Sequence, residues 1–305
     1  MKKAVYHGIR DLRIEEVPEP EPAAGEVKVK VKYCGICGSD LHEYLHGLFP
    51  QSPFGHEACG QIVEIGQGVT GFQKDEPVLA FQKGAYAEYL VLPKERVIKK
   101  PEGMSWERAG VVEPLSGAAY AIEKGGIRPA ETVLITGCGP VGLMALLGLK
   151  AMGVDKIYMT DPSDARRKKA EELGATLVLN PLVEKIPPRI KGLSGGQGVD
   201  VAIEAVGIES SLKDCLASIR YQGKVIVQGI FTDRALVHML GFVTRETTMI
   251  GTNSINPSLA LSWLATGRIR PEAIITKILP LEQIVEGFEA LAQKTKDQIK
   301  ILIAP

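Results

Sequence analysis

Residues 132–142 read Thr-Val-Leu-Ile-Thr-Gly-Cys-Gly-Pro-Val-Gly, and this stretch decides the fold of about half the chain. It begins as an apolar, β-branched run typical of a buried strand. Gly137, Gly139 and Gly142 then form a G-x-G-x-x-G pattern, and residues 141–152 are apolar on nearly every side, as in a helix packed on a sheet. Strand, glycine turn and buried helix together predict a dinucleotide-binding unit, which the glycine spacing alone would not.

Each glycine of the turn has a physical role in binding a dinucleotide. Gly137 permits the tight turn, Gly139 lacks the Cβ that would block a pyrophosphate, and Gly142 lets helix and strand approach closely. The first turn of the helix adds N–H groups and a partial positive charge that attract phosphates. The coenzyme contacts predicted from this turn are Gly137, Gly139, Pro140, Val141 and Gly142.

The next strand indicates which dinucleotide binds. Residues 156–160 read as that strand, and Asp161 follows the last glycine of the turn by 19 residues, near the spacing of the acid that binds a ribose 2′-hydroxyl. A carboxylate there repels a 2′-phosphate, which favours NAD over NADP. Alternatively, Asp161 caps the following helix, with Ser163 and Asp164 as rival caps. Arg166 is a further candidate, for contact with the adenosine.

Composition narrows the class of protein. The chain has 305 residues, and its 36 Lys and Arg balance its 36 Asp and Glu, so no basic surface favours nucleic acid as a partner. No apolar run is long enough to span a membrane, and residues 1–7 lack the apolar core of a signal peptide. Five cysteines at irregular spacing do not form a disulfide framework. We therefore expect a cytoplasmic protein that acts on a small molecule.

The sequence pattern changes partway along the chain. Short strands, among them 26–33 and 88–92, lie between glycine and proline turns and predict a small β-rich domain at the start. From Thr132 strands alternate with helices, as in the doubly wound parallel sheet of a Rossmann domain. The strand at 299–303 has no place left in that sheet and is expected to return to the first domain. The predicted domains are 1–117 completed by 256–305, and 118–255.

Potential metal ligands gather before the Rossmann domain. Cys37, His56, Glu57 and Glu113 supply thiolate, imidazole and carboxylate, which zinc accepts, and a catalytic zinc keeps one position open. Taken singly, Cys37 would be a small buried hydrophobe and His56 a hydrogen-bonded turn residue. The C-x-x-C pair of Cys34 and Cys37 is also compatible with a redox pair or half a structural zinc site, although no second half is present. The residues favour a catalytic zinc and leave open whether Glu57 or Glu113 is the third ligand.

These motifs, in this order, resemble zinc-dependent medium-chain alcohol and polyol dehydrogenases over the whole chain. The branch that looks most similar is the 2,3-butanediol dehydrogenases, with sorbitol-type polyol dehydrogenases next. The motifs that carry the resemblance are Cys-Gly-Ile-Cys-Gly-Ser-Asp-Leu-His at 34–42, Gly-His-Glu at 55–57, Glu-Pro at 113–114, the glycine turn, and Glu-Ala-Val-Gly at 204–207. The resemblance implies an α/β protein with a Rossmann domain and a β-rich GroES-like catalytic domain.

The resemblance also implies roles for individual residues. The zinc ligands fall on Cys37, His56, Glu57 and Glu113, and Asp40 orients the ligand histidine. Ser39 and His42 fall on the proton relay, and Glu57 counts among the catalytic residues as well as the ligands. Tyr44 is expected at the substrate and Val206 at the coenzyme. The family further implies a homodimer or homotetramer.

Two departures from the family bear on cofactors and substrate. Most members carry four closely spaced cysteines of a structural-zinc lobe before the strand at Gly84, whereas residues 75–83 contain none. One zinc per chain is therefore expected, and it is catalytic. The loop from Leu45 to Gly55 is also much shorter than in the butanediol branch, and in the family this loop lies near the substrate mouth.

The reaction expected on these grounds is hydride transfer between a secondary alcohol and NAD, with a vicinal diol or polyol such as 2,3-butanediol as substrate. A generic secondary-alcohol or sugar-alcohol dehydrogenase is the nearest alternative. A zinc-free quinone or enone reductase on the same fold is a second, and the ligand set argues against it. A non-enzymatic NAD-binding sensor is a third, and the intact Ser39 and His42 argue against loss of activity.

Overall fold

The computed structural model describes residues 1–48, 53–293 and 297–305. They divide into two compact units, one formed by Met1–Glu113 with Ile275–Pro305 and the other by Pro114–Ile274. The strands are β1 (Lys2–Gly8), β2 (Asp11–Glu16), β3 (Glu26–Gly35), β4 (Glu57–Ile65), β5 (Pro77–Ala80), β6 (Tyr89–Pro93), β7 (Val97–Lys99), β8 (Val133–Thr136), β9 (Ile157–Thr160), β10 (Leu177–Leu179), β11 (Val199–Glu204), β12 (Ile219–Val227), β13 (Thr248–Gly251), β14 (Ile275–Pro280) and β15 (Lys300–Ala304).

Helices connect these strands, with three short 3-10 turns at Lys94–Arg96, Pro271–Ile274 and Leu281–Gln283. Among the described residues, no helix combines the length and apolar character that a membrane span requires. The α-helices are α1 (Gly38–His46), α2 (Trp106–Ala109), α3 (Val112–Gly125), α4 (Pro140–Met152), α5 (Asp164–Glu172), α6 (Ile186–Leu193), α7 (Glu209–Ser218), α8 (Met239–Thr244), α9 (Pro257–Ala265) and α10 (Ile284–Ala292).

The second unit is a Rossmann domain, as predicted. Its six strands are parallel and follow the order β10-β9-β8-β11-β12-β13, which is the 3-2-1-4-5-6 order of a dinucleotide-binding sheet. The run at 132–136 becomes the buried strand β8, and the apolar stretch after the glycines becomes α4. Because α4 is buried over almost its whole length, the glycine turn that precedes it is held on a rigid element.

The first unit is the β-rich domain. A seven-stranded sheet has the order β14-β15-β3-β4-β5-β7, with β6 also paired to β3, and β1 and β2 form a separate antiparallel pair. The C-terminal strand β15 pairs with β3, opposite Cys34 and Gly35, so its predicted return to this domain is confirmed. The sheet thereby brings the end of the chain next to the segment that contains the C-x-x-C pair.

The domain boundaries differ from those predicted. The division lies between Glu113 and Pro114, four residues before the expected boundary. It falls inside α3 because one continuous helix runs from Val112 to Gly125. The segment from 256 to 274 belongs to the Rossmann unit and not to the first one. Its helix α9 packs on α4, where Trp263 lies against Gly148. The C-terminal segment that rejoins the first unit therefore begins at Ile275.

Candidate zinc and coenzyme sites

Three predicted metal ligands converge in the first unit. Cys37 is the N-cap residue of α1, and His56 and Glu57 lie where β4 begins. One donor atom from each of these three side chains lies within 4.8 Å of the other two. Across residues 1–48, 53–293 and 297–305 this is the one group of such side chains that could hold a metal ion.

Asp40 and Tyr86 hold the ligand histidine in place. His56 Nδ1 lies 3.7 Å from Asp40 Oδ1, which leaves Nε2 as the nitrogen for a metal. Asp40 is buried and fixed in turn, because Tyr86 Oη donates to its Oδ2 at 2.8 Å and the backbone N–H of Gly55 donates to its Oδ1 at 3.3 Å. The expected orienting role of Asp40 is therefore supported by geometry.

The charges around His56 stabilise its protonated form in the metal-free protein. Burial disfavours a charged imidazole, but the neighbouring Cys37 and Asp40 side chains outweigh burial and raise the pKa of His56 to about 12. Zinc binds neutral imidazole, so metal binding must release this proton. The same negative surroundings that hold a proton on His56 would hold a divalent cation.

Glu57 is paired with a lysine from the other end of the chain. The Glu57 carboxylate and the Lys300 ammonium form an ion pair in which both side chains are only 1% exposed. Lys300 Nζ also donates to the carbonyl of Ile36 at 2.9 Å. Burial opposes its charge, but Glu57 and then Cys37 outweigh burial and raise the pKa of Lys300. The ammonium therefore partly balances the negative charge of the ligand cluster.

Glu113 lies beside the cluster but is not one of the three converging ligands. It is half-buried in the first turn of α3. Burial and repulsion by Glu57 raise its pKa to about 7, although His56 and Lys300 oppose that shift. Glu113 is therefore an acid that gains or loses a proton near neutrality next to the metal ligands.

Sequence reasoning missed Lys300 and Tyr86. Lys300 is the one charged residue in the apolar run Ile-Lys-Ile-Leu-Ile at 299–303, where a lysine is normally interpreted as facing solvent. Only the pairing of β15 with β3 brings its ammonium to Glu57. Tyr86 follows a glycine-alanine pair that gives no local sign of a buried hydroxyl. Both are long-range contacts that no local pattern encodes.

The two predicted relay residues lie on α1. Ser39 is in its first turn and His42 is three residues later, and both are half-buried. Because Cys37 caps the same helix, their Cα positions are fixed relative to a metal ligand. Their roles in proton transfer remain predictions.

Tyr44 is a core residue, which contradicts its predicted contact with substrate. Its side chain is 1% exposed, and its ring packs against Phe288 with centroids 5.0 Å apart. Its hydroxyl donates to Glu289 Oε1 at 2.8 Å, and burial together with this carboxylate raises the pKa of Tyr44 to about 12. On helix α1 the side chain of Tyr44 faces α10, so it stabilises the first unit instead of lining a site.

The glycine turn of the second unit has the geometry that binds a pyrophosphate. Gly137 has φ +92°, a backbone conformation that L side chains rarely adopt. A Cβ at Gly142 would overlap the carbonyl oxygen of Gly137, so the helix can approach the turn only with glycine there. Gly139 is the N-cap of α4, Pro140 and Val141 follow it, and no side chain caps the helix. The first N–H groups of α4 are thus available to phosphate oxygens.

Asp161 is held rigidly at the end of β9. The backbone N–H groups of Cys138 and Ser163 donate to its two carboxylate oxygens at 2.9 Å and 2.8 Å. Ser163, and not Asp161, caps α5, since its hydroxyl accepts from the N–H of Arg166. The capping alternative for Asp161 is therefore wrong, and its carboxylate stands beside the glycine turn as a ribose-binding acid requires.

Two further predicted coenzyme residues border the same turn. Arg166 Nη1 lies 3.8 Å from the position that a Cβ would take at Gly139. Val206 Cγ2 lies 2.8 Å from the corresponding position at Gly137, and Val206 is 39% exposed. Both side chains are therefore placed to contact a dinucleotide bound on the turn.

The donor set fits zinc. Sulfur, nitrogen and carboxylate oxygen are the ligands zinc takes in catalytic sites, where three protein ligands leave a position for substrate. Within the described residues, Glu57 Oε1 is a buried carboxylate oxygen that accepts no hydrogen bond, so it is available to a metal ion. Cys37, His56 and Glu57 would therefore hold the metal, with Glu113 beside them.

Comparison with known proteins places this site in a family. The family model described as zinc-binding dehydrogenase matches residues 140–265, and the alcohol dehydrogenase GroES-like domain matches residues 23–102. The (R,R)-butanediol dehydrogenase of Bacillus subtilis is 34% identical over 348 aligned positions, which cover all of both chains. The chain belongs to the zinc-dependent medium-chain alcohol and polyol dehydrogenases. It is an enzyme of this family whose cofactors are NAD and a catalytic zinc ion.

Other members of the family agree with this placement. The sorbitol dehydrogenase of Bacillus subtilis is 30% identical and is covered over 97% of its length. The crystal structure of 2R,3R-butanediol dehydrogenase from the same organism superimposes with a TM-score of 0.92 at 32% identity, over 100% of this chain and 99% of that one. The predicted GroES-like and Rossmann architecture is confirmed.

Proposed function

We propose that this dehydrogenase interconverts a vicinal diol and its hydroxyketone, with 2,3-butanediol and acetoin as the first candidates. The observation that carries the proposal is the convergence of Cys37, His56 and Glu57 in the first unit, in a chain whose second unit contains the glycine turn proposed to bind NAD. A quinone or enone reductase has no use for such a ligand cluster, so the zinc-free alternative is not favoured. The relatives named for butanediol and sorbitol support the class of substrate.

We assign zinc to Cys37, His56 and Glu57. Glu57 is preferred to Glu113 as the third ligand because its carboxylate lies within 4.8 Å of the other two donor atoms. When bound, zinc supplies a Lewis acid that favours loss of a proton from the substrate hydroxyl. Asp40 fixes the orientation of His56 through its contact with Nδ1.

Side chains and backbone groups of this chain then transfer the proton and bind the coenzyme. Ser39 accepts the hydroxyl proton and His42 conducts it onward, a task suited to imidazole near neutral pH. The first turn of α4 binds the pyrophosphate, and Asp161 binds the adenosine ribose, where its charge favours NAD over NADP. When bound, NAD would supply the acceptor for a hydride from the substrate carbon, so one proton would be released for each alcohol oxidised.

The substrate proposal predicts that kcat/KM for 2,3-butanediol exceeds that for 2-butanol by at least about a hundredfold. The two alcohols differ by one hydroxyl, and a site built to hydrogen-bond that hydroxyl rejects the analogue that lacks it. Glu113, half-buried beside the metal ligands, is the candidate partner for the second hydroxyl. Steady-state rates of NADH formation with each alcohol measure the ratio.

Two other outcomes of this assay would contradict the proposal and support a different substrate. Equal efficiency with 2-butanol would show a generic secondary-alcohol dehydrogenase. Greater efficiency with sorbitol would show a sugar-alcohol dehydrogenase, the second candidate that the sorbitol dehydrogenase relatives favour.

We further propose that the enzyme is a cytoplasmic homodimer or homotetramer. All five cysteines are free thiols, which suits a reducing compartment, and cell fractionation tests the location. Strand β13 is at one edge of the Rossmann sheet, and exposed apolar side chains lie on it and in the segment that precedes it, a combination typical of contacts between copies. Sedimentation equilibrium of the purified chain tests the assembly. The exposed side chains are Leu236, Met239, Leu240, Val243 and Met249.

A further inference from the structure

Helix α1 carries three side chains that are chemically able to carry a proton along one face. Ser39, His42 and His46 are separated by three and four residues, the spacing that places side chains above one another on a helix. Ser39 and His42 are half-buried, whereas His46 is exposed at the C-terminal end of the helix. The series therefore leads from the end of α1 that carries Cys37 to the surface.

The imidazole rings of His42 and His46 are neighbours on successive turns of α1. The ring centroids of His42 and His46 lie 5.9 Å apart, and the ring planes are inclined by 35°. An imidazole can accept a proton at one nitrogen and release another from the second, so a neighbouring pair conducts protons directly or through one water. In its proposed role His42 receives a proton that must then leave the protein. His46 is the neighbouring exposed side chain that can accept it.

We propose that His46 is the last proton carrier before solvent. It accepts the proton that His42 releases and transfers it to the buffer. This inference rests on the proposed oxidation of an alcohol by NAD. Each turnover breaks the C–H and O–H bonds of the alcohol, moves the hydride to NAD, and leaves one proton. That proton passes through Ser39, His42 and His46, and each of these side chains returns to its starting state.

The structure also supports a simpler role that the experiment must separate. A basic side chain in the last turn of a helix is stabilised by the partial negative charge of the helix end, and His46 occupies that position in α1. A role of this kind affects stability but does not change the rate at which protons reach the solvent. It would also be filled equally well by lysine.

The test measures proton release in a single turnover with 2,3-butanediol and NAD, using a pH indicator in weak buffer. In His46→Gln we expect proton release to slow by about a hundredfold, the lower end of the range for loss of a positioned proton carrier, while NADH forms at the wild-type rate. Added imidazole buffer should restore proton release. His7→Gln is the matched control, because His7 is another surface histidine of the same unit, paired with Glu15.

Four results would overturn the inference. Proton release at the wild-type rate in His46→Gln would show that His46 conducts nothing. Full recovery by His46→Lys, or no recovery with imidazole, would assign His46 to the helix end alone. If the wild-type enzyme fails to reduce NAD with every alcohol tested, the proposed function and this inference fail together. If turnover is normal and proton release is unchanged in His46→Gln, only the inference fails.

Discussion

Cys37→Ala should abolish alcohol-dependent reduction of NAD, with kcat lower by about a thousandfold or more. Loss of the thiolate removes one of three zinc ligands, and the metal contributes several kcal/mol of charge stabilisation to reactions of this type. The variant should purify with little zinc. It should still bind NADH with nearly wild-type affinity, because the proposed coenzyme contacts lie on α4, just after β9 and in the turn around Val206.

Cys34→Ala provides the matched control for this experiment. Cys34 is the other cysteine of the C-x-x-C pair, but it is fully buried in β3, and burial raises the pKa of its thiol well above the usual value. The control should keep its zinc and most of its turnover. If Cys37→Ala retained stoichiometric zinc and more than about a tenth of wild-type kcat, Cys37 would not be a catalytic ligand.

Lys300→Met should destabilise the metal-free enzyme by about 3–5 kcal/mol, the usual cost of removing one partner of a buried ion pair. The change leaves the Glu57 carboxylate buried, next to Glu113 and without its ammonium partner. It also removes the hydrogen bond to Ile36 that ties β15 to the ligand segment. Urea unfolding after chelation measures the loss as a lower midpoint for the first unit.

A second substitution separates charge from packing. In Lys300→Met with Glu57→Gln, no charge is left unpaired, and most of the lost stability should return, since apolar or neutral replacements of buried pairs are often tolerated. Lys277→Met is the control on the neighbouring strand β14, where the pair with Glu286 is exposed and worth less than about 1 kcal/mol. A loss below about 1 kcal/mol in Lys300→Met would mean that the buried pair is not structurally important.

Most elements of the Rossmann unit could be predicted because their signals are local, although α9 was assigned to the other unit. The strands at 133–136 and 157–160, the glycine turn and the helix after it are each defined by neighbouring residues. Asn256 likewise marks the start of α9 through its own side chain, which accepts from the N–H of Leu259. Patterns of this kind depend on hydrogen bonds and burial within one turn or strand, so sequence alone reveals them.

The zinc site could be predicted only in part, because it is built by pairings far apart in the chain. The proposed ligand residues could be identified from their chemical type, but Lys300 reaches Glu57 only after β15 pairs with β3. Tyr44 was misassigned because its helix neighbours Ser39 and His42 carry functional motifs, whereas its own side chain points into the core against Phe288. Adjacency in sequence does not determine which face of a helix meets a site.

The central claim is that the enzyme oxidises an alcohol with NAD through a zinc ion held by Cys37, His56 and Glu57. The most direct measurement is the rate of NADH formation from 2,3-butanediol before chelation, after chelation, and after one equivalent of zinc per chain is restored. We predict loss of activity on chelation and full recovery with that single equivalent. Activity that survives complete removal of the metal, or that requires a second zinc per chain, would contradict the account.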